Sequence, residues 1–208
     1  MTKCGKRTGF EPFDDSWTMD TTANIFLDTE FSDLKNPDLI SLGLVSEHGC
    51  SLYLEIADFD LARCSQFVRA TVLPLLSGIM VPQAEAAGRI RDYLRLFGSR
   101  VHLWTDAPNY DAWLLSELIA GIRQEIPEIR VCVPEFRGEV ARRVYALAIE
   151  DAYRNGLRRH HGLDDAKALC AGWSAAKRVS PRQIREAIEA ARKSANTARD
   201  EGLLNGES

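Results

Sequence analysis

Long apolar runs, paired cysteines and a basic surplus are all missing from this chain, and each absence removes a class of protein. No stretch of about 18 apolar residues occurs, so no segment is expected to span a membrane. The opening "MTKCGKRTGFEPFDDSW" lacks the apolar centre of a secretory leader and reads as a loosely ordered lead-in. The five cysteines, Cys4, Cys50, Cys64, Cys132 and Cys170, are scattered without a CxxC pair. That argues against zinc and for free thiols in a reducing compartment, so a cytoplasmic location is expected. The net charge of −4 lacks the excess of Lys and Arg that most nucleic-acid binders show. A local basic patch, or cations held by a carboxylate cluster, could still receive a phosphate chain. No internal repeat is present.

What is there suits one globular domain with tails: 208 residues, 45% of them hydrophobic. Strands are expected at 25–31, in "DLISLGLVSE" and in "CSLYLEIAD", the last two joined by "EHG" as a hairpin. Helices are expected at 60–77 and 82–97, then a strand in "RVHLWTD", a helix at 109–125 and a strand in "IRVCVPEF". Helices follow at 139–156 and 163–178, and a last one opens with Ser180 as N-cap and Pro181 in its first turn. Three antiparallel strands followed by strand–helix alternation imply an α/β fold, a mixed sheet flanked by helices. The expected organisation is a flexible segment over 1–21, a main domain over 22–178, and a C-terminal helix with a frayed tail over 179–208.

One stretch conflicts with a plain core reading. "IFLDTEF" has the look of a central strand, yet Asp28 and Glu30 lie two apart and so share a face. Neighbouring buried carboxylates repel each other and cost several kcal/mol to desolvate. A second acid, Asp111 in "NYDAWLLSELIAGI", falls at the centre of the face formed by Leu114, Leu115, Leu118, Ile119 and Ile122. An ordinary first-turn aspartate, favoured by the helix dipole, is the alternative. In "HHGLDDAKALCAGW" the apolar stripe runs through Leu163, Ala166, Leu169, Cys170 and Trp173. Helical spacing then points Asp164 toward water and sets Asp165 on the stripe's edge, able to face the sheet. Together these features could bring four carboxylates to one site, the hard-oxygen donor set that Mg²⁺ or Mn²⁺ requires.

The ordered motifs resemble those of the DEDDh 3′–5′ exonucleases. Asp28 and Glu30 in "DTEF" match the first motif and Asp111 in "NYDAW" the second. His160 and Asp165 in "HHGLDDA" match His-x-Ala-x-x-Asp, with Gly162 where the family has Ala. Only His160 stands five residues before an aspartate; the same step from His161 lands on Ala166. Residues 22–178 carry the resemblance, and "DTEFSDLKNPDLISLGLVSEHG" with "QFVRATVLPLL" is similar to a small branch of bacterial and phage exoribonucleases of mycobacterial type.

The resemblance implies a ribonuclease H-like sheet and two Mg²⁺ or Mn²⁺ ions held by Asp28, Glu30, Asp111 and Asp165. It implies His160 as general base, a role that histidine's ordinary titration near neutrality suits. The implied reaction releases nucleoside 5′-monophosphates from the 3′ end of single-stranded RNA or 3′ overhangs, with DNA ends as the alternative. A catalytically silent nucleic-acid-binding protein is a further alternative. Thr29 and Phe31 are the implied substrate contacts, Phe31 by stacking on the terminal base or else by packing in the core. Trp104, Tyr110 and Trp113 could stack on bases or belong to the core, and Arg154, Arg158 and Arg159 could meet phosphates or solvent. A homodimer is a further implication.

Overall fold

The computed structural model of the protein describes residues 22–136 and 138–180, with residues 182, 183, 185, 186 and 189 beyond them. The lead-in expected over 1–21 and most of the helix expected after Pro181 lie outside the described residues. A six-stranded sheet organises the fold, in the order β4-β3-β2-β1-β5-β6. β1 (Ala23–Phe31), β2 (Leu39–Ser46) and β3 (Ser51–Ile56) are antiparallel neighbours. β5 (Arg100–Trp104) joins β1 in parallel, and β6 (Glu128–Cys132) joins β5 in parallel. This is the mixed α/β sheet expected from sequence, and its arrangement is consistent with the ribonuclease H-like class.

Three details depart from expectation. A sixth strand, β4 (Met80–Val81), pairs in parallel with β3. At two residues it is too short to show a period in the sequence. The helix expected over 60–77 is three pieces: a 3₁₀ turn at Leu61–Arg63, α1 (Gln66–Thr71) and a 3₁₀ turn at Leu73–Leu75. Pro74 supplies no N–H and its ring clashes with the preceding turn, so a continuous helix is blocked there. Ser65 instead caps α1, its Oγ accepting from the Val68 N–H. The helix expected over 109–125 likewise ends early: α3 (Asp111–Leu118) passes into a 3₁₀ stretch at Ala120–Glu125, where Gly121 weakens the α-form.

β1 is buried on both faces. Ile25 and Leu27 pack with Ile90 and Leu94 of α2 (Gln83–Leu94) and with Leu114 and Leu115 of α3. On the opposite face Phe26 packs with Leu169 and Trp173 of α5 (Gly162–Lys177). Burying Ile25, Phe26 and Leu27 contributes about 5–9 kcal/mol in all, enough to hold β1 in place beside its acids. α4 (Glu139–Arg154) lies against α5 on the outside.

The start of α5 comes unusually close to the sheet. Gly43 pairs with Asp28 across β1 and β2, and a Cβ at Gly43 would come within 2.4 Å of Gly162 O and Leu163 Cα. An alanine methyl at 162 would sit 3.2 Å from Gly43 N and 3.3 Å from Asp28 O, which is tight. Two facing glycines thus let the first turn of α5 rest directly over Asp28. No helix among the described residues is long and apolar enough to cross a membrane.

Candidate active site

Acids and a histidine from four parts of the chain meet at the C-terminal end of β1. Strand alternation turns Asp28 and Glu30 to the α5 side, the side of Phe26, and Thr29 to the α3 side. Asp111 opens α3 and is 1% exposed. It caps nothing. Its Oδ1 accepts from Thr29 N–H at 3.2 Å and from Thr29 Oγ1 at 2.6 Å, and its Oδ2 accepts from Thr105 Oγ1. Thr29, expected to touch substrate, is buried, with both its donors on Asp111.

Asp165 lies in the first turn of α5. Its Oδ1 accepts from Tyr153 Oη at 2.6 Å and its Oδ2 from His160 N–H at 2.8 Å. His160 adopts a left-handed backbone, φ 62°, rare for a side-chain-bearing residue though less so for histidine. Its ring meets the ring of Phe67 edge-on at 5.0 Å. His161 has a different environment. It is 5% exposed, stacks on Tyr53 at 4.5 Å and N-caps α5 by accepting from Asp164 N–H. Burial lowers its pKa.

Two trios result. Ligand atoms of Glu30, His160 and Asp165 lie within 4.8 Å of one another, and so do those of Asp28, Asp106 and Asp111. Asp106 is the carboxylate that sequence reasoning missed. It is exposed in the loop after β5, and its signal was an acid just past the end of a strand adjacent to β1.

Asp164 corrects an expectation. It does not face water: it is 6% exposed and accepts from Arg158 Nε at 2.7 Å and from Arg158 N–H. Helical spacing identified the apolar stripe but not the chain before the helix, which folds back over the polar side of α5. Burial works to raise the Asp164 pKa, but the Arg158 hydrogen bonds prevail and hold it below the usual carboxylate range. The three arginines each meet an acid of the chain itself: Arg154 meets Asp151, Arg158 meets Asp164, and Arg159 meets Glu150. Trp104 donates to Asn24 and packs on Trp173, while Trp113 is exposed. Phe31 stacks on Tyr110 with ring centres 5.0 Å apart, where the pairing of β1 with β2 shifts register. A cavity of about 490 Å³ runs past Glu30 and His160 between Phe31, Leu34 and Phe67. A cavity of about 330 Å³ between α3 and β6 includes none of these acids.

The acids burden one another. Burial first, then the charges of Asp111, Glu30, Asp165 and Asp106, push the Asp28 pKa far up. Burial and the neighbouring charges of Asp165 and Asp111 raise Glu30 to about 8. Burial raises Asp111 to about 6 against the opposing pull of its two threonine donors. Asp28 Oδ2 is buried and accepts no hydrogen bond. A bare carboxylate oxygen among acids on two sides is what a divalent cation would satisfy, and the all-oxygen donors with one imidazole suit a hard ion. The residues present therefore fit such a group.

A pH test follows. Glu30 holds its proton up to about 8 in the folded chain but only to about 4.5 when unfolded. Between those values the folded state binds more protons, so its stability falls as pH rises. In chelator the thermal midpoint should drop between about pH 6 and about pH 8, and a divalent cation should remove that drop. A midpoint that climbs over this window in chelator would contradict the clustering.

Two curated 3′–5′ exoribonucleases of Mycobacterium tuberculosis are similar to this chain. One is from strain CDC 1551 / Oshkosh and the other from strain ATCC 25618 / H37Rv. Each is 33% identical over 99 residues, which covers 45% of this chain and 59% of the relative. The chain thus spans less than two thirds of the length of the curated relatives it matches. No protein-family model matches the chain.

Proposed function

We propose that this protein is a divalent-metal-dependent 3′–5′ exoribonuclease whose catalytic domain occupies residues 22–178. The observation that carries this reading is the convergence of Asp28, Glu30, Asp111, Asp165 and His160 at one strand end, beside an aromatic-lined cavity. Asp28, Glu30 and Asp165 would hold one Mg²⁺ or Mn²⁺ ion, and Asp28 with Asp111 a second. When bound, such ions supply charge neutralisation at a phosphodiester and acidify water.

The rest is done by the chain's own residues. His160, whose ring nitrogen lies within 4.8 Å of carboxylate oxygens of Glu30 and Asp165, takes the water's proton there. Thr29 and Thr105 fix the Asp111 carboxylate, which spares it reorganisation. Phe31, backed by Tyr110, and Phe67 present ring faces and edges to the terminal base of a single strand. Phe67 is 55% exposed and meets the His160 ring edge-on. The product is a nucleoside 5′-monophosphate. A homodimer, implied by the motif resemblance, belongs to the same proposal and is read by sedimentation.

The test is end-labelled RNA and DNA of one sequence, incubated with purified protein in Mg²⁺, in Mn²⁺ and in EDTA. RNA should shorten from its 3′ end with either metal, and a 3′ overhang should be lost before duplex. EDTA should stop the reaction. Hydrolysis in excess chelator, or cuts inside a circular RNA, would overturn the reading. Faster loss of DNA would reassign the substrate, and binding without shortening would mark a silent binder.

A further inference from the structure

The last turns of α4 carry a side-chain chain that ends on the candidate site. Tyr153 Oη donates to Asp165 Oδ1 at 2.6 Å. The Arg159 guanidinium lies 4.0 Å from the centre of the Tyr153 ring. Arg159 Nη2 in turn donates to both Glu150 oxygens at 2.7 Å. Glu150 and Tyr153 stand three apart on α4 and so share a face of the helix. Arg159 directly precedes His160, whose N–H holds the other oxygen of Asp165. One brace therefore reaches both the carboxylate and the segment that carries the histidine.

We propose that Tyr153, steadied by Arg159 and Glu150, is a positioning residue that sets the orientation of Asp165 and, through it, of the His160 backbone. The proposal rests on the nuclease reading and adds a residue that none of the matched motifs contains. Three observations favour positioning over mere packing. Asp165 has a carboxylate oxygen within 4.8 Å of one on Glu30, and its charge bears on both Glu30 and Asp28, so like-charge repulsion would turn an unheld carboxylate away from them. Tyr153 and His160 each occupy one oxygen of Asp165, which fixes the plane of the carboxylate. The packing of α4 on α5 is secured elsewhere, where Tyr145 and Ile149 lie over Gly172 so closely that a Cβ there would come within 2.8 Å of Ile149. Removing the Tyr153 hydroxyl alone leaves that contact, and it leaves the ring under Arg159.

Tyr153→Phe is the test, run beside the parent and Asp165→Ala. Mn²⁺ affinity is read by calorimetry, kcat and KM on labelled RNA, and the thermal midpoint in chelator. Loss of a partner that orients a metal-binding carboxylate costs about 10- to 100-fold in metal affinity or rate. Tyr153→Phe should show a loss of that size in Mn²⁺ affinity or kcat, with the KM for RNA and the midpoint unchanged. Glu150→Gln should show a smaller loss in the same direction, because it loosens only the far end of the brace. Parent-like Mn²⁺ affinity and kcat in Tyr153→Phe would overturn the proposal while leaving the nuclease reading intact. A collapsed midpoint would also overturn it, since the hydroxyl would then be structural. If the parent fails to bind Mn²⁺, or Asp165→Ala binds it equally well, the nuclease reading falls and the proposal with it.

Discussion

Asp28→Asn should reduce RNA hydrolysis by about 10³-fold or more, since several kcal/mol of transition-state stabilisation depend on the ions this carboxylate would share. Asp28 is the group on which the cluster converges: the charges of Asp111, Glu30, Asp165 and Asp106 all act on it. Its Oδ2 is buried and accepts no hydrogen bond, so a structural role would leave that oxygen uncompensated. The asparagine is nearly isosteric and spares the chain the cost of burying a carboxylate, or of protonating it, among other acids. The metal-free thermal midpoint should therefore stay level or rise even as activity disappears. Asp165→Ala should be equally inactive, with the His160 N–H left without its acceptor. Single-turnover hydrolysis and a melt in chelator read the two effects separately. Retention of more than about a tenth of parent activity in Asp28→Asn would remove the basis for the metal reading.

The paired histidines should separate just as clearly. Replacing His160 should lower kcat by about 10²- to 10⁴-fold, the usual worth of a general base. The left-handed backbone at His160 complicates the alanine variant, which adds strain of its own. Asn tolerates that region better, so His160→Asn is the cleaner probe of the lost proton acceptor. Mn²⁺ affinity should change little in either variant, because the carboxylates would supply most of the ligands. His161→Ala should behave in the opposite way. It loses the cap on α5 and the stack on Tyr53, so stability should fall by about 1–2 kcal/mol. Its kcat should stay within a few-fold of the parent at a temperature where it is folded. A crippled His161→Ala beside an active His160→Asn would mean that the register against Asp165 is wrong.

Local periodicity made much of this arrangement legible. Alternation along β1 is enough to place Asp28 and Glu30 on one face, and the helical repeat is enough to turn Asp111 inward, because both depend only on neighbours along the chain. The five-residue step from His160 to Asp165 is likewise local, and the structure joins the two by a hydrogen bond. Pro74 was visible, but its consequence depended on whether the surrounding pattern could tolerate a break.

Tertiary structure alone decided the rest. Helical spacing sent Asp164 toward water, and only the folded chain brings Arg158 back over it. Thr29 and Thr105 become the holders of Asp111 because β1, β5 and the start of α3 meet. Asp106 enters the site from a loop and Phe67 from the six-residue helix α1, neither long enough to show a period that would mark a site. Tyr153 reaches Asp165 only because α4 lies on α5. Sequence determines which side of its own element a residue faces; which elements then meet is set by long-range packing, and partners that meet that way leave no mark in local spacing.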